Sequence, residues 1–275
     1  MHESTLPKIV GIVNVTPDSF SDGGAYYDAE DACVQVQRLW EQGADMVDIG
    51  AESTRPGSTA LVPEQERARL QPALEYVAQH AAPRLASVSI DTRHSSTARW
   101  ALQRYGVGWI NDVSGCADAP MQAVLAEHTA CRLVLTHALS VPADPSVVLQ
   151  DADVIGALQA TFAERIRALE RAGIARERIV LDPGIGFGKT SAQSWQILRG
   201  IERLHTLGCP LYVGHSRKSF LQACTASAPA ERDGATLALS LTLAARGVHY
   251  LRVHNVPMHV QALAALAYLQ AEHAE

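Results

Sequence analysis

The side chains best suited to chemistry in this chain form an acidic set and a basic set. The acidic set is Asp91, Asn111 and Asp182, and each of them lies at the end of a short apolar run. Two carboxylates and an amide around one cavity could hold a planar heterocycle, because a carboxylate accepts paired hydrogen bonds from a guanidine-like edge. Two alternatives remain: a divalent-metal site, which needs several converging oxygens, and capping of the next helix or turn.

The basic set consists of Ser216–Ser219, which contains adjacent cations, together with Arg252 and His254. Arg252 and His254 are two positions apart, so on an extended strand their side chains face the same side. These groups predict a pocket for a small anion, with a solvated run of charges as the alternative. Lys218 could instead form a Schiff base with a carbonyl substrate.

The glycine-rich segment Gly184–Thr190 resembles a nucleotide-binding loop only superficially. A P-loop would need glycine where Pro183 stands, and in the dinucleotide pattern Gly188 comes one residue too early. We interpret the segment as a turn whose glycines let a ligand approach the backbone.

Two kinds of segment alternate from one end of the chain to the other. Short β-branched runs predict strands over Lys8–Asn14, Met46–Gly50, Ser87–Asp91, Trp109–Asp112, Arg132–His137, Arg178–Asp182, Pro210–Gly214 and Tyr250–His254. Longer periodic segments predict helices over Ala29–Gln42, Pro63–Gln79, Ser95–Tyr105, Ala119–Glu127, Asp151–Ala172, Ala192–Leu207, Glu231–Ala245 and Pro257–Ala271. Such alternation implies parallel pairing through βαβ units.

Chain length then favours one α/β architecture, a single (β/α)₈ TIM barrel over residues 1–275. The 275 residues give roughly 34 per unit, close to the size of a βαβ repeat. A doubly wound open sheet is the alternative, but its glycine-rich turn is missing after the first strand. In a barrel the active site lies at the carboxyl ends of the strands. The long polar loops Thr16–Tyr27 and Glu52–Val62 would then act as lids carrying Asp22 and Arg55.

Composition excludes several classes of function. The formal net charge of −6 disfavours a nucleic-acid partner. Five cysteines without CxxC spacing argue against disulfides and structural zinc, and predict a reducing, cytoplasmic location. No apolar stretch reaches the length of a membrane span or of a signal peptide, so we expect no membrane association.

Seven ordered motifs together resemble the dihydropteroate synthase family over nearly the whole chain. They are Gly11–Gly24, Glu52–Gly57, Ser89–Thr92, Ile110–Asp112, Asp182–Lys189, Ser216–Ser219 and Arg252–His254. The resemblance implies a pterin-binding TIM barrel and a transferase of folate biosynthesis. That enzyme condenses 6-hydroxymethyl-7,8-dihydropterin diphosphate with p-aminobenzoate, releasing 7,8-dihydropteroate and diphosphate. C–O cleavage comes first and amine attack follows, and sulfonamides compete with p-aminobenzoate.

The resemblance also implies roles for individual residues. Catalytic roles fall on Asp22, Arg55 and Lys218. Pterin contacts fall on Asp91, Asn111, Asp182, Phe187 and Lys218. Diphosphate contacts fall on Asn14, Arg252 and His254, with Mg²⁺ between Asn14 and the diphosphate. The p-aminobenzoate contacts fall on Phe20, Thr54, Arg55, Pro56, Lys218 and Ser219. Family members are commonly homodimers, so a homodimer is expected here.

The chain departs from the family pattern at four positions: Ala51, Thr136, His215 and Asn255, the last of which follows His254 where Asp is usual. Thr136 and His215 could lie near the pterin pocket. Two other functions are compatible with a pterin-binding barrel: methyl transfer from methyltetrahydrofolate to a corrinoid protein, and pterin binding without catalysis. The intact Ser216–Ser219 motif argues against the first, and Asn14 and Arg55 argue against the second.

Overall fold

The computed structural model describes residues 6–16, 29–53 and 58–271. Its strands are β1 (Lys8–Asn14), β2 (Met46–Gly50), β3 (Val88–Asp91), β4 (Trp109–Asp112), β5 (Arg132–Thr136), β6 (Ile179–Asp182), β7 (Tyr212–Val213) and β8 (Tyr250–Val253). Its helices are α1 (Ala29–Glu41), α2 (Pro63–His80), α3 (Ser95–Tyr105), α4 (Ala119–Glu127), α5 (Val154–Arg171), α6 (Ser191–Arg199), α7 (Asp233–Ala245) and α8 (Val256–Gln270). Strands and helices alternate as the sequence predicts.

All neighbouring strands pair in parallel, in the order β6-β5-β4-β3-β2-β1-β8-β7. A bridge between Leu181 and Leu211 joins β6 to the segment before β7 and closes the ring. The prediction of a (β/α)₈ barrel is therefore confirmed.

Two helices differ from their predicted bounds by three or more residues at one end, each for a local reason. Helix α5 begins at Val154 because Asp153 caps it, its Oδ1 accepting a hydrogen bond from the Gly156 N–H at 3.1 Å. The predicted helix Ala192–Leu207 ends at Arg199 and continues as a 3₁₀ helix. At Gly200, between the two, a Cβ would lie 2.2 Å from the terminal methyl group of Ile155, so a larger residue would require that methyl group to shift.

The barrel interior changes character along the strands. Its amino-terminal half is apolar and aromatic, and seven strands contribute one buried side chain each: Val10, Met46, Trp109, Val134, Val180, Tyr212 and Tyr250. A larger apolar layer fills the space between strands and helices. In the described part of the chain, no helix is both long and apolar enough to cross a membrane.

Candidate active site

The carboxyl half of the barrel interior is polar and charged. Its side chains lie on the same strand faces as the apolar layer, because positions two apart on a strand face the same side. Two residues beyond Met46 lies Asp48, two beyond Trp109 lies Asn111, and two beyond Tyr250 lies Arg252. The Arg252 Nε donates to Asp48 Oδ2 at 2.7 Å, and the Asn111 Nδ2 donates to the same oxygen at 3.1 Å. One buried carboxylate oxygen thus connects three strands.

Arg252 also joins the two sets that the sequence suggested separately. Its Nη2 donates to Asp91 Oδ2 at 3.1 Å, so the guanidinium lies between Asp48 and Asp91. The basic and acidic sets therefore form one site rather than two. Arg252 is predicted to bind diphosphate, and in this structure its Nε and Nη2 already donate to the carboxylates of Asp48 and Asp91.

Burial determines the electrostatics of the acidic residues. The pKa of Asp91 is raised to about 7, first by burial and then by the Asp48 carboxylate, although Arg252 opposes the shift. Burial also raises the pKa of Asp182, and the nearby Lys218 ammonium opposes that rise. Near neutral pH, Asp91 can therefore both donate and accept hydrogen bonds, which suits a heterocycle edge carrying both kinds of group.

Asp182, Phe187 and Lys218 lie together where the loops after β6 and β7 meet. The Asp182 Oδ1 accepts a hydrogen bond from the Gly184 N–H at 2.8 Å. The Lys218 Nζ donates to the Ile185 carbonyl and lies 4.7 Å from the centre of the Phe187 ring. Burial lowers the pKa of Lys218 to about 8, and Asp182 opposes the fall, so the amine is mostly protonated at pH 7.

A second buried lysine, Lys189, explains why the glycine-rich turn is not a phosphate loop. Its Nζ donates to the carbonyls of His137 at 2.6 Å and Phe187 at 2.9 Å, and lies 2.8 Å from His137 Nδ1. Burial lowers its pKa to about 7. Lys189 therefore fastens the turn to the loop after β5 and does not extend towards a ligand.

The remaining predicted residues border the same mouth or lie outside the described part of the chain. Asn14 ends β1 and is half-buried. His254 follows β8, and its Nδ1 lies 2.9 Å from the Ser216 Oγ. Ser219 directly follows Lys218 and begins a 3₁₀ helix. The predicted residues Phe20, Asp22, Thr54, Arg55 and Pro56 all fall outside the described residues.

Sequence reasoning missed Asp48 as a site residue, and it suggested that His215 could lie near the pterin pocket. Asp48 is fully buried, and its Oδ1 has no hydrogen-bond partner among the described residues. Its spacing of two from Met46 marked it as inward-facing. His215 contacts helix α7 instead, with its Nε2 3.0 Å from the Ser240 Oγ. Thr136 does lie beside the acidic set, with its Oγ1 3.5 Å from Asn111 Oδ1.

Comparison with known proteins points to one family. The model of the pterin binding enzyme family matches residues 10–254. The dihydropteroate synthase of Neisseria meningitidis serogroup C is 38% identical over 262 residues, which cover 94% of this chain and 91% of that protein. A probable bifunctional folylpolyglutamate synthase/dihydropteroate synthase of Halobacterium salinarum is 41% identical, but this chain spans only 31% of its length.

Solved structures agree with the sequence relatives. The dihydropteroate synthase of Xanthomonas albilineans with 4-aminobenzoic acid superposes with a TM-score of 0.88 at 39% identity, covering 98% of this chain and 95% of that one. The enzyme of Anaplasma phagocytophilum with bound 6-hydroxymethylpterin-monophosphate superposes with a TM-score of 0.87 at 36% identity, covering 96% and 100%.

Proposed function

We propose that this chain, which belongs to the dihydropteroate synthase family of pterin-binding enzymes, catalyses the family's condensation. The reaction joins 6-hydroxymethyl-7,8-dihydropterin diphosphate, called pterin diphosphate below, to p-aminobenzoate and releases diphosphate. The observation that carries the proposal is the convergence of Asp91, Asn111, Asp182 and Lys218 on one barrel mouth. The chain spans about a third of the haloarchaeal bifunctional relatives, and the proposal concerns the synthase activity alone.

Pterin recognition is assigned to the acidic set. The aminopyrimidine edge of a pterin carries adjacent N–H donors and ring nitrogens, which match a carboxylate at Asp182 and an amide at Asn111. Asp91, with its pKa near 7, would complement either a donor or an acceptor. The Phe187 ring and the Lys218 ammonium would border the pterin plane.

Diphosphate is assigned to Asn14, Arg252 and His254, with Mg²⁺. Among the described residues there is no cluster of three or more His, Cys, Asp or Glu side chains that could hold a metal. A single amide oxygen at Asn14 suits Mg²⁺, which commonly keeps several waters and binds largely through substrate phosphates. When bound, the ion would neutralise charge on the leaving diphosphate.

Departure of the diphosphate then requires little acid–base chemistry from the protein. The protonated Lys218 and the Arg252 guanidinium provide positive charge close to the developing anion, where a preorganised site stabilises it best. The amine of p-aminobenzoate attacks the exposed methylene carbon and the aromatic amine loses its proton. We assign p-aminobenzoate to Ser219 and Lys218, together with Phe20, Thr54, Arg55 and Pro56, and lid closure over it to the loop containing Asp22.

We further propose a homodimer in a reducing cytoplasm. All five cysteines, Cys33, Cys116, Cys131, Cys209 and Cys224, are free thiols. Near the end of helix α8, Tyr268 and Leu269 are 70% and 80% exposed, an apolar pair that a second copy could cover. Light scattering of the purified protein tests the dimer, and a monomeric mass would refute it.

The central test is a diphosphate-release assay with the purified chain. We expect release only when pterin diphosphate, p-aminobenzoate and Mg²⁺ are all present, and inhibition by a sulfonamide that p-aminobenzoate overcomes. Mass spectrometry should identify 7,8-dihydropteroate. Absence of release with all three components would refute the proposal, and release without p-aminobenzoate would indicate a different reaction. Borohydride trapping should give no Lys218 adduct, which separates this chemistry from a Schiff-base mechanism.

A further inference from the structure

Arg217, the first cation of the Ser216–Ser219 motif, points away from the cavity. Its Nε donates to Asp233 Oδ1 at 2.7 Å and its Nη2 donates to Asp233 Oδ2 at 2.8 Å. This fork-to-carboxylate geometry is the strong form of the ion pair. Of the two cations in the motif, Lys218 therefore faces the mouth, whereas Arg217 pairs with Asp233.

Arg217 also adopts a backbone conformation that residues other than glycine rarely hold. Its φ is +58°, in the left-handed region. A non-glycine residue remains there only where surrounding contacts enforce it. Here the Arg217 N–H donates to Thr236 Oγ1 at 3.2 Å, and Arg232 Nη1 donates to the Arg217 carbonyl at 3.2 Å. Together with Asp233, these residues of the α7 amino end fix the bend.

The same carboxylate reaches the loop after β8. The Asn255 Nδ2 donates to Asp233 Oδ2 at 2.9 Å, while the Asn255 Oδ1 accepts from the Met258 N–H and caps helix α8. Asn255 directly follows His254. Asp233 thus connects the two loops that bring Lys218 and His254 to the barrel mouth.

Small shifts of the backbone at Arg217 would displace both Lys218 and His254. The bend at Arg217 lies between Ser216, whose Oγ contacts His254 Nδ1, and Lys218, whose Nζ donates to the Ile185 carbonyl. Rotation of the backbone at Arg217 would therefore change the spacing of Lys218 and His254.

We propose that Asp233 is a positioning residue that holds the loops after β7 and β8 so that Lys218 and His254 face the substrate together. The proposal rests on the proposed function. In this chain the residue after His254 is the neutral Asn255, so Asp233 supplies the carboxylate that Arg217 requires. Among the described residues, the Asp233 carboxylate accepts its side-chain hydrogen bonds from Arg217 and Asn255.

The first test is Asp233→Asn, which keeps the shape and removes the charge. We expect kcat/KM for pterin diphosphate to fall by roughly 10- to 100-fold, since a displacement of about 1 Å in an active site can cost that much. The matched control is Asp153→Asn. Asp153 also forms a two-bond pair, with Arg203 at 3.1 Å and 3.1 Å, and it caps helix α5 away from the mouth. A purely structural role would make the two variants alike, with wild-type kcat/KM.

The second test restores a carboxylate next to Arg217, at position 255 instead of 233. In the double variant Asp233→Asn with Asn255→Asp, the two groups exchange places across their 2.9 Å hydrogen bond. We expect kcat/KM to recover to within about threefold of wild type, because the carboxylate at position 255 again gives Arg217 a charged hydrogen-bond partner. Wild-type kinetics in the single variant, or no recovery in the double variant, would overturn the proposal.

A third measurement does not depend on activity. Trypsin cleaves after Arg217 and Lys218 when the loop opens, so the initial rate of cutting there should rise in Asp233→Asn and return in the double variant. Cutting at an unchanged rate would overturn the proposal even if the wild-type chain released no diphosphate. Conversely, an inactive wild type with faster cutting in Asp233→Asn would refute the proposed function and leave the positioning role standing.

Discussion

The two halves of the barrel interior are built from the same strands and differ in nearly everything else. On β4, Trp109 faces an aromatic, apolar layer, and two residues later Asn111 joins a charged network. On β8 the change from Tyr250 to Arg252 is equally abrupt. The comparison indicates that the amino-terminal half stabilises the barrel, whereas the carboxyl half binds ligand at a cost in stability.

Arg252→Ala should have the largest effect because it lowers both the free energy of unfolding and the affinity for diphosphate. Removing one partner of a buried ion pair costs about 3–5 kcal/mol, and here both Asp48 and Asp91 lose their countercharge. Loss of a charged hydrogen bond should also weaken diphosphate binding by about 1.5–3 kcal/mol. Urea unfolding and titration with pyrophosphate measure the two effects.

Arg252→Lys is the control for this change, since it keeps the charge and loses only the fork. It should fall between wild type and Arg252→Ala in both measurements. A stable Arg252→Ala variant would show that the charged half does not depend on this guanidinium.

Trp109→Ala tests the apolar half alone. The ring packs edge-on against Tyr250 with centroids 5.4 Å apart, and the Arg132 guanidinium lies 5.0 Å from it. Its removal should lower the free energy of unfolding by about 3–5 kcal/mol through the cavity it leaves. KM values of the folded fraction should stay at wild-type levels, and Trp109→Phe should lose less stability. A large rise in KM at low temperature would contradict the separation of the halves.

Asp182→Asn tests the charged half alone. Asparagine can still accept from the Gly184 N–H, so the turn should persist and stability should change little. Pterin binding should weaken by about 1.5–3 kcal/mol, because a charged hydrogen bond is lost. Isothermal titration with a pterin measures this loss of affinity. Val180→Ala, on the same face of β6 but in the apolar half, is the control variant. Wild-type affinity in Asp182→Asn would show that the Asp182 carboxylate does not bind the pterin.

A further expected effect is a pH dependence of the free energy of unfolding. Because the pKa of Asp91 rises from 3.8 to about 7 on folding, the folded state binds the proton more tightly. Asp91 therefore destabilises the fold increasingly as pH rises from about 4 to 7, by at most about 1.4 kcal/mol per pH unit. In Asp91→Asn this part of the slope should vanish, as urea titrations at several pH values would show. Equal slopes for the two proteins would contradict the shift.

Alternation and length sufficed to predict the barrel and, to within one residue at each end, seven of its eight strands. They also placed Asp91, Asn111 and Asp182 at strand ends, and the carboxyl ends of the strands are where a barrel holds its active site. The pairing of Arg252 with Asp48 could not be predicted, since it depends on strands that are 204 residues apart in sequence.

Loops were less predictable than strands. The prediction that Arg217 and Lys218 act together failed because one left-handed residue sends them in opposite directions, a backbone state that arginine rarely adopts. Similarly, the sequence showed that Lys189 is not part of a phosphate-binding loop, but it could not show what Lys189 binds instead. Its two carbonyl partners are His137, 52 positions earlier, and Phe187 in its own turn.

The closing joint of the barrel has a dynamic consequence. Among the described residues, β6 and the segment before β7 share a single bridge, Leu181 with Leu211, and the Leu181 N–H donates to the Pro210 carbonyl at 2.9 Å. Asp182 and Lys218 stand on either side of this joint. We expect amide hydrogens here to exchange with solvent faster than those of β1 and β2, which share five registered pairs. The barrel would then widen most readily at its joint, directly beneath the Asp182 and Lys218 side chains.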